Sequence, residues 1–215
     1  MNSLHIVLMQ NFSLSIFYPR NYFVKLISNE TFFTIFKSQL SIVKQTLMRC
    51  LSTFQSLTKI SCFYRAPEII LGLKYDFNLD LWSVGTTIYE LCTGKIMFPG
   101  HSNNQMLKLF MELKGKIPNK IIRKGQFRTQ HFDDSCNFLS HETDKVTQKD
   151  KVTVMPVVNK NRSLSQELRG GERLTPENHT RVTHLIDLLD KMHMIDPHKR
   201  PTISDCLNHP FITEK

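Results

Sequence analysis

The stretch FYRAPEIILGLKYDFNLDLWSVG, residues 63–85, places several side chains with chemical potential close together. Arg65 stands three residues before Glu68, and Asp80 stands two residues before Trp82, the only tryptophan in the chain. Side chains of these types can bind anions, coordinate metals or form ion pairs. Which of these they do depends on the partners that the rest of the chain supplies.

A zinc site is not among the predicted partners. Five cysteines stand at positions 50, 62, 92, 136 and 206, without a Cys-x-x-Cys pair or another spacing typical of zinc ligands. An odd, scattered set of cysteines favours reduced and mostly buried thiols, and therefore an intracellular protein. We expect no metal ligands in this chain.

Charge and length limit the classes of function. The 215 residues suit one ordinary domain, and 40% hydrophobic residues favour a globular fold. The net charge of +9 favours anionic partners, although a basic domain without a nucleic-acid site has the same composition. The chain carries no RRM, KH or zinc-knuckle signature, so direct RNA binding is not predicted.

Residues 1–19 are too polar for a membrane span, and no basic region of a signal peptide precedes them.

The sequence changes in character near residue 57. Residues 1–57 contain no Gly, no Asp and one acidic residue, Glu30, and they show no sustained helical or strand period. We leave this segment unassigned and expect it to pack poorly. Residues 58–215 carry clear helix signals and form the predicted domain.

Three helices are predicted from apolar spacing and end signals. The first is DLWSVGTTIYELC, residues 80–92, whose apolar character indicates a buried position and which Gly94 ends. The second follows Ser102, with Gln105 at capping-box spacing, and ends at Gly115. The third runs from about 179 to 195 and ends at Asp196-Pro197.

Shorter or weaker signals complete the domain. A short last helix begins near Thr202, a favourable N-cap residue. Residues 116–175 are basic, polar and loop-like, with a possible strand at KVTVMPVV, residues 151–158. The predicted fold class is therefore mainly α.

Four signatures in one order identify a family resemblance. FYRAPE, DLWSVG and FPG are followed by DPHKRPT and HPF, and together these resemble the C-terminal lobe of a eukaryotic protein kinase. Residues 116–175 resemble the insert of the CMGC group of kinases. NNQMLKLFMELKGKIPNKIIRKGQF, QHFD and DKVT look most like the serine/threonine kinases of pre-mRNA processing. The resemblance runs from about residue 58 to the C-terminus and implies a partial, helical kinase fold.

The resemblance implies structural roles for four residues. Glu68 would form a buried ion pair with Arg200, and Trp82 would be buried. Asp80 would accept hydrogen bonds from the backbone of the catalytic loop. From the residues alone, Asp80 is equally well interpreted as a plain helix N-cap, and the resemblance favours the anchoring role.

Two further residues would contact the substrate. Ser61 matches the small hydroxyl residue of the substrate-binding loop. Arg65 matches the arginine that shapes the pocket after the acceptor residue, where this kinase group often prefers proline. Without the motif, a lone Ser and Arg are most simply interpreted as a solvated loop.

The parts that bind nucleotide in this family are not found. Protein kinases use a glycine-rich loop, a strand lysine, a catalytic Asp and Asn, and the Asp of DFG, all before Ala-Pro-Glu in chain order. Here the first Gly is Gly72 and the first Asp is Asp76. The HFDD of residues 131–134 follows that motif, so we interpret it as structural. The family uses ATP and Mg²⁺, but we predict no catalytic residue and no cofactor for this chain.

Two functions stay open at this point. The chain is either an incomplete serine/threonine kinase of the splicing type or a non-catalytic docking module for kinase substrates, regulators or spliceosomal proteins. The resemblance implies protein partners, a nuclear location and no membrane association.

Overall fold

The computed structural model describes residues 62–143, 150–169 and 174–213. The unassigned segment 1–57 and Ser61 lie outside the described residues. Eight helices and one two-stranded antiparallel sheet occupy the described ranges. The helices are α1 Pro67–Leu71, α2 Asn78–Thr93, α3 Asn103–Lys114, α4 Asn119–Lys124, α5 Leu164–Arg169, α6 Pro176–Met192, α7 Ile203–Leu207 and α8 Pro210–Thr213. The strands are β1 Phe138–Thr143 and β2 Asp150–Met155.

Helix α2 is the centre of the fold, as its apolar sequence predicted. Buried side chains occur all around it, because other elements pack on most of its surface. The helix ends at Gly94, which has a φ of 66° and donates its backbone N–H to the carbonyl of Glu90. Only glycine adopts this left-handed conformation without steric cost, so the predicted stop signal is confirmed.

Trp82 of α2 lies in an aromatic cluster and is fully buried, with 0% of its surface exposed. Its ring stacks on Phe98 at 5.6 Å between centroids and meets the edge of Phe110 at 4.8 Å. His193, which follows α6, meets the same ring at 5.0 Å. These contacts join α2, α3 and the end of α6 in one core.

Helix α3 begins where the sequence predicted, but its cap is only half of a capping box. The side chain of Ser102 accepts a hydrogen bond from the backbone N–H of Gln105 at 3.1 Å. The side chain of Gln105 turns to the backbone N–H of His101 instead of Ser102, at 2.9 Å. The start of the helix was therefore predicted correctly, and the reciprocal bond was not.

The segment 116–175 is more ordered than its loop-like composition indicated. The predicted strand is present as β2, which pairs with β1 in the register Phe138↔Met155 to Thr143↔Asp150. Helices α4 and α5 were not predicted, since each has six residues and too few apolar positions to show a period. The sheet packs against α3, so this segment is attached to the core.

The two predicted C-terminal helices are present. Helix α6 starts after Thr175, whose side chain accepts from the backbone of Asn178, and ends at Met192, so each end lies three residues before the predicted 179 and 195. Thr202 caps α7 in a full capping box with Asp205. The described part of the chain is therefore mainly helical, as predicted. Among these residues, no helix is long and apolar enough to cross a membrane.

Substitution of Gly85 tests how closely the side chains pack at the centre of the fold. A Cβ atom at Gly85 would lie 2.6 Å from Cε1 of His193, whose Nδ1 is held by the carbonyl of Leu189 at 2.8 Å. Because this ring cannot move away freely, Gly85→Ala should lower the free energy of unfolding by about 1–3 kcal/mol. Urea unfolding followed by Trp82 fluorescence measures the change.

Thr87→Ala, on the same helix but partly exposed, is the matched control for Gly85→Ala. It should change the free energy of unfolding by less than about 0.5 kcal/mol. Equal stability of the two variants would show that His193 does not constrain Gly85.

Candidate functional site

The loop before α1 is fixed to two helices. A 3₁₀ turn, Cys62–Tyr64, leads into Arg65. The hydroxyl of Tyr64 donates to the carboxylate of Glu90, and the hydroxyl of Ser83 donates to the carbonyl of Tyr64 at 3.1 Å. Nη1 of Arg65 donates to Oδ1 of Asn103, on α3, at 2.8 Å. The loop therefore has a defined position relative to α2 and α3.

The predicted partner of Glu68 is present. Nη1 of Arg200 lies 2.6 Å from Oε1 of Glu68, and Nη2 lies 2.7 Å from Oε2. The side chains are 0% and 1% exposed, respectively. Two parallel charge-assisted hydrogen bonds of this kind fix both distance and orientation. The pair joins residues 132 positions apart in the chain.

Arg200 has further partners besides Glu68. Its Nε donates to the carbonyl of Met194 at 2.8 Å, and Nη1 also donates to the carbonyl of Asn78 at 2.8 Å. Its guanidinium carbon lies 5.1 Å from the centre of the Trp82 ring. Desolvating two charges is costly, and these extra hydrogen bonds offset part of that cost. The ion pair is thus connected directly to the aromatic core.

The local sequence explains the position of Glu68. Pro67 starts α1, where its missing N–H needs no partner, and Gly72 ends it with a φ of 68°. Glu68 therefore lies in the first turn of α1, where the exposed N–H groups of the helix favour a negative charge.

Asp80 occupies a different place from a plain N-cap. The N-cap residue of α2 is Phe77 and the helix begins at Asn78, so Asp80 is the third residue of the helix. The interpretation as an N-cap is therefore wrong, because helix α2 starts two residues earlier than its apolar stripe indicated. The described part of the chain shows no hydrogen bond to the carboxylate of Asp80. Burial raises the pKa of this carboxyl group to about 6.

The ionised form of such a carboxylate lowers stability at neutral pH, because the group is partly buried and has no compensating donor among the described residues. Carboxyl groups with a pKa shifted by burial are common at functional sites, where a binding partner supplies the hydrogen bonds or charges that the fold itself lacks. Asp80 is therefore a described residue whose charged form the fold disfavours at neutral pH.

A second ionic network was not predicted. Arg162 forms two hydrogen bonds to the carboxylate of Glu167, both within 2.9 Å, and donates to the carbonyl of Met97 at 2.9 Å. Tyr89 of α2 donates its hydroxyl to Glu167 at 2.8 Å. The network ties the start of α5 to the central helix. Tyr89 lies 78 positions from Glu167 and Met97 lies 65 positions from Arg162, and no local signal connects them.

Asn104 is a second residue that the sequence did not single out. Its side-chain amide donates to the carbonyl of Leu139 at 2.8 Å and accepts from the backbone N–H of His141 at 2.9 Å. Asn104 thus pairs with β1 much as a neighbouring strand would and holds the hairpin on α3. Its neighbour Asn103 holds Arg65, so adjacent residues of α3 contact the loop and the hairpin.

The HFDD segment has structural contacts. Oδ1 of Asp133 accepts a hydrogen bond from the backbone N–H of Asn137 at 2.7 Å, and this bond lowers the pKa of Asp133. His131 is buried beside Asn104, and burial lowers its pKa to about 4. Across the described ranges, no three His, Cys, Asp or Glu side chains are grouped so that they could hold a metal ion.

Comparison with known families covers the part of the chain that contains Glu68 and Arg200. The family model of the protein kinase domain matches residues 46–212. The chain belongs to the protein kinase domain family. The resemblance indicated by the ordered motifs is thereby confirmed. The match begins before the boundary predicted at residue 58.

Individual kinases are similar over most of the described domain. The serine/threonine-protein kinase prp4 of Schizosaccharomyces pombe is 40% identical over 156 residues, which is 73% of this chain and 33% of that protein. The serine/threonine-protein kinase prpf4B of Dictyostelium discoideum is 38% identical over 154 residues, 71% of this chain and 19% of that protein. The dual specificity protein kinase lkh1 of Schizosaccharomyces pombe is 30% identical over 151 residues, 70% of this chain and 20% of that protein. The chain therefore spans a third or less of the length of these relatives.

The ion pair gives a prediction about stability. Glu68→Ala should lower the free energy of unfolding by about 3–5 kcal/mol, because it leaves the buried guanidinium of Arg200 without its charge partner. In the double variant with Arg200→Ala, the loss should be smaller than the sum of the two single losses. Urea unfolding of the four proteins gives the coupling energy.

Glu177→Ala is the control for the ion pair. Glu177 pairs with Arg181 at 2.9 Å on the exposed surface of α6, and removing it should cost less than about 1 kcal/mol. Strict additivity of the Glu68 and Arg200 changes would contradict the proposed energetic role of the buried pair.

Asp80 gives a prediction about pH. Its pKa is raised in the fold, so its contribution to stability is fully present below the ordinary value of 3.8 and is lost as the pH rises through about 6. Asp80→Asn should therefore raise the free energy of unfolding at pH 7 by about 1–3 kcal/mol, and this advantage should disappear near pH 4. Thermal and urea unfolding of both proteins across this pH range test the sign. A constant difference from pH 4 to 7 would mean that Asp80 keeps an ordinary pKa.

Proposed function

We propose that this chain is the acceptor-side lobe of a serine/threonine protein kinase of the pre-mRNA-processing type, in the CMGC group, and that it does not transfer phosphate by itself. The observation that carries the proposal is the buried pair of Glu68 and Arg200, which fixes the loop around Arg65 to the core. Membership of the protein kinase domain family supports the class of protein. The similarity to prp4 and prpf4B supports the subgroup.

In this proposal, the loop before α1 receives the protein substrate. Ser61 lies next to the acceptor hydroxyl, and Arg65 shapes the pocket for the following residue. The hydrogen bond from Arg65 to Asn103 supports this role, because it limits the guanidinium to one side of the loop. A positioned arginine also loses less conformational entropy when it contacts a peptide.

Asp80 anchors a catalytic loop in the same proposal. Its desolvated carboxylate, which has no donor in the described part of the chain, suits a residue that accepts hydrogen bonds from backbone N–H groups. Such donors would lower the pKa of Asp80 and remove the cost that its burial imposes. A functional residue that reduces the stability of the isolated fold is a common compromise.

ATP and Mg²⁺, which the family uses, do not fit the residues of this chain. Phosphoryl transfer needs ligands for Mg²⁺ and a group that orients the attacking hydroxyl. No Gly or Asp precedes Gly72 and Asp76, and the described residues contain no group of side chains suited to a metal. We therefore derive no catalytic step and assign no catalytic or cofactor residue.

The remaining roles follow from the same family. We propose that residues 58–215 form the lobe and that residues 116–175 are its CMGC-type insert, while the family match extends the domain back to residue 46. Protein substrates or spliceosomal proteins are the proposed partners, and the nucleus is the proposed location. A non-catalytic docking role for the same lobe is the alternative, favoured by the presence of the acceptor-side residues without the nucleotide-binding ones.

Activity assays on the purified chain test the proposal. We expect no saturable thermal shift with ATP and Mg²⁺ and no transfer of radiolabelled phosphate to Ser-Pro or Arg-Ser-rich peptides. Losing both base and metal removes several factors of ten in rate, each worth about 1.4 kcal/mol. An Asp80→Asn variant prepared in parallel identifies contaminating kinases, since their activity would be equal in both samples. Transfer that is present in the wild type and lost in the variant would overturn the proposal.

A further inference from the structure

The segment between α3 and β1 carries the densest positive charge of the described chain. Residues 115–130 contain five cations and no acidic residue. We call these five residues, Lys116, Lys120, Arg123, Lys124 and Arg128, the basic ridge. Four of them are exposed, and Arg128 is partly exposed. None of the ion pairs of the described residues includes a member of the ridge.

Helix α4 presents three of these cations together. Lys120, Arg123 and Lys124 follow the i, i+3, i+4 spacing, which places them on one face of the helix. Ile121 and Ile122 lie on the opposite face and are buried. Positions near the helix C-terminus favour positive charge, which explains Arg123 and Lys124 in part. Three neighbouring like charges still repel each other, and an anionic partner would remove that cost.

The ridge is held rigidly on the fold. The backbone N–H of Phe127 donates to the carbonyl of Leu71 at 3.0 Å, and that of Gln126 donates to the carbonyl of Gly72 at 3.4 Å. A Cβ atom at Gly125 would lie 2.7 Å from the carbonyl oxygen of Leu71, so the two chain segments are in close contact. These contacts connect the ridge to α1, the helix that carries Glu68. A charged surface on a fixed backbone loses little entropy when a partner binds.

From the exposure, spacing and charge of the ridge, we propose that it is a docking surface for an acidic peptide segment of a partner protein. This binding is independent of phosphoryl transfer and goes beyond the proposed function. Carboxylate side chains along an extended peptide would match cations distributed over both ends of α4. Electrostatic attraction would speed the encounter and fix the region that docks.

An RNA strand is the less suitable partner for this surface. Single-stranded nucleic acid is usually bound by aromatic side chains on which successive bases stack, next to a positive groove. Phe127 is the one aromatic residue within the run 115–130, and it is 44% exposed. The edge of its ring lies against Gly72, where an added Cβ would meet Cδ2 at 2.7 Å. One partly covered ring provides no platform for several bases.

Fluorescence anisotropy with the full chain tests the proposal. The probes are a labelled Glu-rich peptide, the same peptide with Gln in place of Glu, and a uridine oligonucleotide of matched length. The test variant combines Lys120→Gln, Arg123→Gln and Lys124→Gln. The matched control combines Lys95→Gln, Lys160→Gln and Lys199→Gln, which removes the same charge from exposed positions away from the ridge. A third variant, Lys120→Arg with Arg123→Lys and Lys124→Arg, keeps the charge of the ridge.

We expect the Glu-rich peptide to bind the wild type in a salt-sensitive manner. The test variant should bind it about tenfold more weakly, while the control and the charge-preserving variant stay within about twofold of the wild type. Circular dichroism and thermal melting check that all proteins fold alike. Equal weakening of peptide binding in the test and control variants would mean that only the net charge of the protein matters, and it would overturn the proposal. Stronger binding of the oligonucleotide, unchanged binding by the test variant, or no binding of the Glu-rich peptide by the wild type would overturn it as well.

Discussion

The ion pair between Glu68 and Arg200 is the contact on which the arrangement of the described helices depends. It links α1, the helix directly after the loop around Arg65, to the turn between α6 and α7. Because both charges are fully buried, the pair tolerates little change in geometry: a displaced partner would leave an unpaired charge inside the protein. The pair therefore acts as a positional constraint more than as a source of net stability.

The aromatic core transmits this constraint to the other helices. Arg200 lies over the ring of Trp82, and that ring contacts Phe98, Phe110 and His193. A shift of the arginine would require these rings to repack at once, since protein interiors have few voids to absorb movement. Direct contacts thus couple the positions of three elements: the loop around Arg65, the central helix α2 and the end of α6.

Asp80 differs from the Glu68–Arg200 pair because its charge is not compensated within the described residues. Its neighbours Leu79 and Leu81 are buried, whereas Asp80 is partly buried and its carboxyl group has a raised pKa. Glu68 and Arg200 compensate each other's charge, whereas the carboxylate of Asp80 has no donor among the described residues, and such a group is typical of a site that a partner completes. The same reasoning applies at the surface to the basic ridge, where like charges are gathered without acids.

Local signals in the sequence were sufficient for much of the fold. The end of α2 at Gly94, the cap at Thr202 and the order of the kinase motifs were predicted correctly, because caps, apolar periods and motifs involve residues a few positions apart. Helices α4 and α5 were missed, because six residues give too short a period and their stability comes from packing.

The environment of each site residue could not be read in the same way. That Glu68 is bonded at both oxygens, that Asp80 lies inside a helix without a donor, and that Asn104 pairs with a strand depend on residues distant in the chain. Sequence patterns record which side chains are present and how they are spaced. Desolvation and hydrogen bonding arise only when distant segments pack together, and they set the charge state and the partners of those side chains.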